Sequence, residues 1–558
     1  MRYNSTRNSS LSVSSAEAIA KGISADGGLF VPEALPMFTE DEFAAMQEMD
    51  YIGRAKMVLS RFLTDYTEAE LEACVKSAYL GSFDEDRPAP LTRYTGEADI
   101  LELWHGPTCA FKDLALQILP HLLTTAVSKT AGEQETVILV ATSGDTGKAA
   151  LEGFRDVQGT RILVFYPEDG VSPMQKLQMT TQEGENVFVT AIRGNFDDAQ
   201  TGVKKIFTDS KTAAELKKNG MAFSSANSIN WGRLVPQIVY YVSAYCDLRA
   251  AGKDLFWGFN VVVPTGNFGN ILAAFYAKCM GVPVAKLICA SNQNNVLTEF
   301  LTTGHYSRNR DFYTTISPSM DILISSNLER LLYHLSGRDD AKIAGYMAEL
   351  SKTGEYTVDA ALLSAIHDNF CADFLNDEET KAVIARVFAE KGYLCDTHTA
   401  VAVGVYDRYV EKTGDRKPAV IASTASPFKF SRAVLSAIAP DAASGEEAEL
   451  VGRLSERTGW PVPGPLASLA GKPVRFAGSC TAGTMKRTIL SALGISAAKA
   501  KDVKAPAKAP AEKAKGAKAP AKAPAEKAKD VKAPAKAPAE KAKAPAKPAA
   551  TGSAKKSK

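Results

Sequence analysis

Long apolar runs are missing from this 558-residue chain. Its hydrophobic stretches are short and broken by charge or glycine, which excludes a membrane-spanning helix. The opening residues, Met1-Arg2-Tyr3-Asn4-Ser5-Thr6-Arg7, lack the apolar core of a secretory signal, so a cytoplasmic location is expected. The Ser-rich, Arg-bearing start leaves an organellar location open. Eight cysteines are present and none forms a CxxC pair; six histidines are scattered without HExxH. That excludes a disulfide framework and a zinc site of recognisable spacing, and no metal is expected. At 45% hydrophobic and 23% charged, the composition is that of a soluble globular protein.

The near-neutral net charge of +2 conceals an asymmetry. Residues 499–558 hold 18 lysines against five acids, a balance of +13, which leaves 47 basic and 58 acidic residues, or −11, in the remainder. The tail repeats a 14-residue unit, DVKAPAKAPAEKAK, at 502–515, 516–529 and 530–543, with changes only at its first two positions. Regular proline forbids a continuous helix. With only Ala and Val as apolar residues, the segment buries too little surface to offset its ordering entropy, so disorder is expected over 496–558. Lysine density of this kind can bind nucleic acid or another polyanion. The favoured expectation is a solubilising tail without a dedicated partner, because no aromatic side chain is interleaved for base stacking.

What the body does have is alternation. Residues up to about Arg93 read as an opening domain. Asp26 to Pro32 is a turn into a short strand, and 41–46 and 67–72 are capped amphipathic helices. Beyond Glu102, β-branched runs at 136–141, 161–167, 186–191, 260–264, 286–290 and 418–422 are separated by helical stretches. Continuous runs of this kind indicate parallel strands buried on both faces. The fold class is α/β, with ligands expected at the carboxyl ends of the strands.

Four turns after such runs carry chemistry. Lys112 follows Leu101-Glu102-Leu103-Trp104 and a Gly106-Pro107 turn, at the start of a helix; a partly desolvated lysine there is a candidate Schiff-base lysine. Ser143, Asp145 and Thr146 lie in a Thr-Ser-Gly-Asp-Thr-Gly turn that opens a helix and can receive an anion. In Gly266-Asn267-Phe268-Gly269-Asn270 the two glycines let successive N–H groups wrap a single phosphate. This loop is neither a GxGxxG fingerprint nor a GxxxxGK[ST] loop. Ser423, Thr424 and Ser426 offer hydroxyls that can meet a ring nitrogen without a charge. Each turn alone also fits a plain helix cap or tight βα connection. Together they spell a pyridoxal phosphate site.

At this point the chain resembles the threonine synthase family, within the tryptophan-synthase-β-like pyridoxal phosphate enzymes of fold type II. The resemblance runs from Met1 to about Phe430. It is carried by the motifs already named and by Val171-Ser172-Pro173-Met174-Gln175-Lys176, Gln178-Met179-Thr180-Thr181, Asn227-Ser228-Ile229-Asn230-Trp231-Gly232-Arg233, Pro318-Ser319-Met320-Asp321-Ile322 and Ser326-Asn327-Leu328-Glu329-Arg330. It implies an N-terminal domain over 1–93, a catalytic domain of two open parallel α/β lobes over 94–495, and the tail over 496–558. By the resemblance Lys112 is the catalytic, cofactor-bearing lysine. Gly266, Asn267, Phe268, Gly269 and Asn270 hold the cofactor phosphate, and Thr424 meets the pyridine nitrogen. Ser143, Asp145 and Thr146 lie where the family holds the substrate carboxylate or the cofactor face. Asn230 and Arg233 are implied for the substrate phosphate, with a structural ion pair as the plainer alternative for Arg233. The implied reaction turns O-phosphohomoserine and water into threonine and phosphate, in a monomeric enzyme. A phospho-lyase releasing 2-oxobutyrate is the nearest rival. The family more often has His-Pro where this chain has Ser426-Pro427, and Ala in place of Phe428; packing and substrate fit are in question there.

Overall fold

The computed structural model describes residues 1–84, 87–132, 134–194 and 196–495, without the side chain of Asp197. The disorder expected over 496–558 lies outside the described residues.

The chain begins with a small antiparallel sheet of β1 (Tyr3–Ser5), β2 (Asn8–Val13) and β3 (Phe30–Pro32). Helices Glu40–Gln47, Tyr51–Phe62 and Glu68–Tyr79 follow. Thr39 with Glu42, and Thr67 with Glu70, form reciprocal capping boxes that satisfy the first free N–H groups of two of these helices. The small sheet is pinned to later parts of the chain. Arg7 and Thr6 both bond the carboxylate of Glu329, with Arg7 Nη2 at 2.7 Å. Tyr3 packs its ring against the fully buried Trp231 at 5.3 Å. Arg330, also buried, donates to the carbonyls of Phe30 and Ile229. Motifs that are far apart in sequence therefore meet at one junction.

Two sheets form the rest. β4 (Leu91–Arg93) and β5 (Ala98–Glu102) are the first strands of the larger one, and they pair antiparallel. The chain then crosses to β6 (Glu135–Ala141), β7 (Thr160–Pro167), β8 (Val187–Ile192) and β9 (Met221–Ser224) of the second sheet. It returns through β10 (Phe259–Pro264) and β11 (Val284–Ser291), makes a hairpin of β12 (His305–Ser307) and β13 (Glu355–Thr357), and continues through β14 (Phe370–Phe374) and β15 (Ala419–Ser423). Finally β16 (Ser479–Cys480) joins the second sheet beside β8. The larger sheet has the order β14-β11-β10-β15-β5-β4 and the second β16-β8-β7-β6-β9. All pairings in both are parallel except β4 with β5.

Every residue of β5, β10 and β15 is buried, which is why β10 and β15 read as largely apolar runs, while β5 also buries Asp99 and Glu102. Four strands of these two sheets escaped the sequence reading: β4, β9 and β16 have three, four and two residues, and β14 is half-exposed over most of its length. None carries the long β-branched run that marks a buried strand. No helix among the described residues is long and apolar enough to cross a membrane.

Candidate active site

The strand order places the chemistry. β10, β15 and β5 are consecutive neighbours in the larger sheet, running in the same direction. Their carboxyl ends lead into the 266–270 loop, Thr424 and the Lys112 segment. Across from them, β6 leads into the turn of Ser143, Asp145 and Thr146, which opens the helix Asp145–Phe154. A site at strand carboxyl ends between two sheets is what an open parallel topology provides.

Lys112 is buried, and its ammonium lies 3.6 Å from Asp145 Oδ2 and 4.7 Å from the centre of the Phe111 ring. Burial pushes its pKa down to about 8; Arg233 and Lys429 push the same way, while Asp145 opposes them. The free amine is therefore accessible near neutral pH. The preceding turn is shaped by Asp113, which accepts from Thr108 N at 2.8 Å and from its hydroxyl at 2.6 Å. Cys109 in that turn has φ 56°, and Phe268 in the glycine loop has φ 63°. Only four non-glycine residues among those described have positive φ, and two of them stand in these two segments. Such backbone persists where the surroundings enforce it, commonly at binding sites.

Contacts link the segments into one constellation. Thr424 O accepts from Phe111 N at 2.9 Å, so the hydroxyl turn is zipped to the lysine segment. The side-chain hydroxyl of Thr424 has no hydrogen-bond partner among the described residues. Ser319 Oγ donates to Asp145 Oδ2 at 3.2 Å, and a Cβ on Gly266 would meet Ser319 O at 2.7 Å. Gly266 is thus required for the loop to lie against Ser319. Ser325 Oγ donates to Gly266 O and Asn327 Nδ2 to Asn267 O, fixing the carbonyls outward. The N–H groups of Asn267, Phe268, Gly269 and Asn270 have no acceptor among the described residues. Asn270 Oδ1 accepts from Tyr240 and Tyr241, while its buried Nδ2 has no partner. Unpaired buried donors are costly and rare, and a row of them at a helix N-terminus fits a phosphate. The donor set therefore fits pyridoxal phosphate: amine, phosphate cup and neutral hydroxyl in contiguous segments.

Three anticipated substrate residues part company here. Arg233 is 3% exposed, and it pairs with no carboxylate among the described residues. Its Nη1 donates to Ala226 O at 3.0 Å, its Nε has no partner, and burial lowers its pKa to about 10, leaving it charged. The ion-pair alternative for it fails. Asn230 is different. Its amide donates to Ile19 O and Ser225 O, and its Oδ1 caps Gly232 N at 2.9 Å. Both hydrogens are used, so the phosphate role is withdrawn; an Asn just before a helix is a cap signal that could have been read. Asp145 is also reassigned. Its carboxylate faces Lys112 and Lys429 Nζ (2.6 Å) and accepts from Gln175 Nε2 at 2.8 Å. Burial favours its neutral form, but the two lysines and Gln175 hold it ionised far below the usual carboxylate range. A fixed negative charge repels a substrate carboxylate. Ser143 and Thr146 stand in the same turn, half-buried with unbonded hydroxyls.

Lys429, Gln175 and Ser319 were not anticipated as site residues. Each sits in a segment that looked informative, but only the fold brings them to Asp145. Ser426 and Phe428 line, with Trp104, His105 and Trp460, a cavity of about 670 Å³.

A lysine, a phosphate cup and a neutral hydroxyl on three adjacent parallel strands define a pyridoxal-phosphate-dependent enzyme of fold type II, and the family of such enzymes matches residues 100–425. The threonine synthase N-terminus family matches residues 2–79 and the threonine synthase C-terminal family residues 399–476. The threonine synthase of Pseudomonas aeruginosa is 40% identical over 78% of this chain and 90% of its own length. The crystal structure of pyridoxal-phosphate-bound threonine synthase from Brucella melitensis is 36% identical with a TM-score of 0.78, covering 88% of this chain and 99% of that one. The chain belongs to the threonine synthase family. It is also 42% identical over 433 residues to human threonine synthase-like 1, and spans 58% of that relative's length.

Proposed function

We propose that the chain converts O-phosphohomoserine and water to L-threonine and inorganic phosphate, by γ-elimination followed by β-replacement. The observation that carries this reading is Arg233, a buried guanidinium with no carboxylate partner among the described residues, close enough to Lys112 to depress its pKa. An uncompensated buried cation is expensive, and a planar guanidinium matches a phosphate. A substrate lacking a phosphate would leave it unsatisfied.

When bound, pyridoxal phosphate supplies an electron sink for charge developing at substrate carbons. The protein does the rest. The N–H groups of Asn267, Phe268, Gly269 and Asn270, with the amide of Asn270, anchor the cofactor phosphate. Thr424 offers the ring nitrogen a hydroxyl without a charge, which limits charge withdrawal into the ring. Ser143 and Thr146 offer their hydroxyls to the substrate, while the N–H groups of Gly144 and Gly147 in the same turn are taken by Thr142. Arg233 holds the substrate phosphate and stabilises it as it leaves from Cγ. Lys112 removes the proton at Cα and then one at Cβ as general base, and returns protons at Cγ and finally at Cα as general acid. Its lowered pKa suits both tasks. Water then adds at Cβ.

The test is product analysis on purified, cofactor-loaded protein with O-phosphohomoserine. Threonine and phosphate in equal amounts support the reading. Mainly 2-oxobutyrate would replace it with a phospho-lyase and turn attention to Ser426 and Phe428. No turnover of O-phosphohomoserine, with unphosphorylated homoserine used instead, would remove the assignment of Arg233; O-phosphoserine used instead would keep it and change the substrate.

A further inference from the structure

Lys429 is completely buried, in the turn Pro427–Phe430 that follows β15. Its ammonium has two partners, Asp145 Oδ1 at 2.6 Å and Thr108 O at 3.0 Å. A lysine at such depth is rarely tolerated without a specific partner. Asp145 comes from the opposite sheet, after β6. Its other oxygen faces Lys112 at 3.6 Å and Ser319 Oγ at 3.2 Å. Ser319 is itself held: its N–H donates to His398 Nε2 at 3.2 Å, and His398 Nδ1 is bonded to Asp396 at 2.8 Å. One buried carboxylate thus bridges two lysines, with the shorter contact to the lysine that has no catalytic task.

We infer that Lys429 is a positioning residue that acts on Lys112 through Asp145, as the permanent counter-ion that keeps Asp145 in place across the cleft. The inference rests on Lys112 being the cofactor lysine, and is independent of which substrate is used. Lys112 must exchange its partners when it takes up cofactor and when it moves protons. Asp145 would then lose one of its two cations in a site with no water-exposed face, since its side chain is 2% exposed. Lys429 does not exchange. It keeps Asp145 ionised, so that the carboxylate still orients the Lys112 amine and still receives Ser319 from the opposite lobe. The charged groups that face Lys112 are Asp145, Arg233 and Lys429, and the neighbouring Asp113 is engaged by Thr108. Removing Lys429 therefore changes one of three charges, and frees Asp145 to bind the Lys112 ammonium more tightly.

The experiment compares Lys429→Met, Asp145→Asn, the double variant and Lys429→Arg. The first readout uses cofactor-free protein. The pH dependence of Lys112 labelling by an amine-reactive reagent is followed by peptide mass spectrometry, with Lys112→Ala marking the site. The wild-type midpoint is expected near 8. Lys429→Met should raise it by about one unit or more, because a repelling cation is lost and Asp145 pairs with Lys112 alone. Lys429→Arg should leave it within a few tenths. The second readout is turnover of the loaded enzyme. Lys429→Met should lower kcat by about 10²-fold with KM within about threefold, the size of a displaced general base. The double variant should recover at least about tenfold, since a neutral Asn needs no counter-ion. An unmoved labelling midpoint in Lys429→Met, or a double variant no better than the single, would overturn the inference. If Lys429→Met fails to fold, Asp145→Asn decides. A lowered midpoint supports the bridge, and an unchanged one overturns it. Altered labelling without any turnover on O-phosphohomoserine would sink the proposed substrate and leave the bridge standing.

Discussion

Two turns of this molecule share a geometry and differ in wiring. The 266–270 loop and the 142–146 turn each follow a buried parallel strand and each open a helix, Gly269–Cys279 and Asp145–Phe154. In the first, four consecutive N–H groups have no acceptor among the described residues, and the opening turn of the helix carries no acid. In the second, Thr142 Oγ1 accepts from Gly144 N at 3.0 Å and Gly147 N at 2.8 Å, and Asp145 stands in the first turn. A helix N-terminus is a generic anion site. Here one is left open for a dianion. The other satisfies part of itself and places a carboxylate where a ligand anion would go, to serve two lysines. The lesson is that Gly-rich βα turns are read by which donors remain free rather than by their glycines.

The comparison breaks most completely if Lys112 is removed, because it is the proposed cofactor lysine and Asp145 of the second turn faces it. Lys112→Ala should lower kcat by on the order of 10³-fold or more, the general acid–base and covalent roles being lost together. A residual rate within tenfold of wild type in a threonine assay would refute its assignment. Next comes the open turn. Gly266→Ala places a Cβ 2.7 Å from a backbone carbonyl, that of Ser319, which cannot swing aside as a side chain can. Cofactor affinity should fall at least about tenfold, or about 1.4 kcal/mol, by equilibrium dialysis. Unchanged affinity would mean that the loop does not hold the phosphate. Arg233→Lys keeps the charge and loses the fork. KM for O-phosphohomoserine should rise about tenfold while cofactor affinity stays within threefold. A matching loss of cofactor would place Arg233 at the cofactor instead.

Much of this was legible because it is local. β6, β10 and β15 announce themselves as β-branched runs, and the turns that follow them place Asp145, the phosphate cup and Thr424 within a few residues of a strand end, while Lys112 comes ten residues after β5 ends at Glu102. The N-terminal motif was legible as a motif, yet its purpose was not. Thr6 and Arg7 meet Glu329 only through the fold. The same holds for Asp145. An acid in the first turn of a helix is an ordinary dipole partner, and nothing local says that Lys429, Gln175 and Ser319 converge on it. Burial also inverted two readings. Asn230 looked like a ligand and is a fully used cap. Arg233 looked as though it could be half of an ion pair, and the absence of the other half is what makes it informative.

The smallest effect tests the closed turn alone. Thr142→Val is nearly isosteric, at a position 2% exposed. It removes the acceptor shared by Gly144 N and Gly147 N and the donor to Gly144 O at 3.1 Å. Two buried N–H groups are then left unpaired, at a cost of about 1–2 kcal/mol each before relaxation, of which a cap substitution commonly loses about 1 kcal/mol overall. Denaturant unfolding should show that loss with an unchanged m-value. Cofactor affinity should hold within about twofold, because the phosphate is assigned to the other turn. Opening the second turn creates two free donors, and if it were equivalent to the first, Thr142→Val would gain affinity for inorganic phosphate. It should not: the ionised carboxylate of Asp145 stays in that turn, and its charge repels an incoming anion at a depth where water screens little.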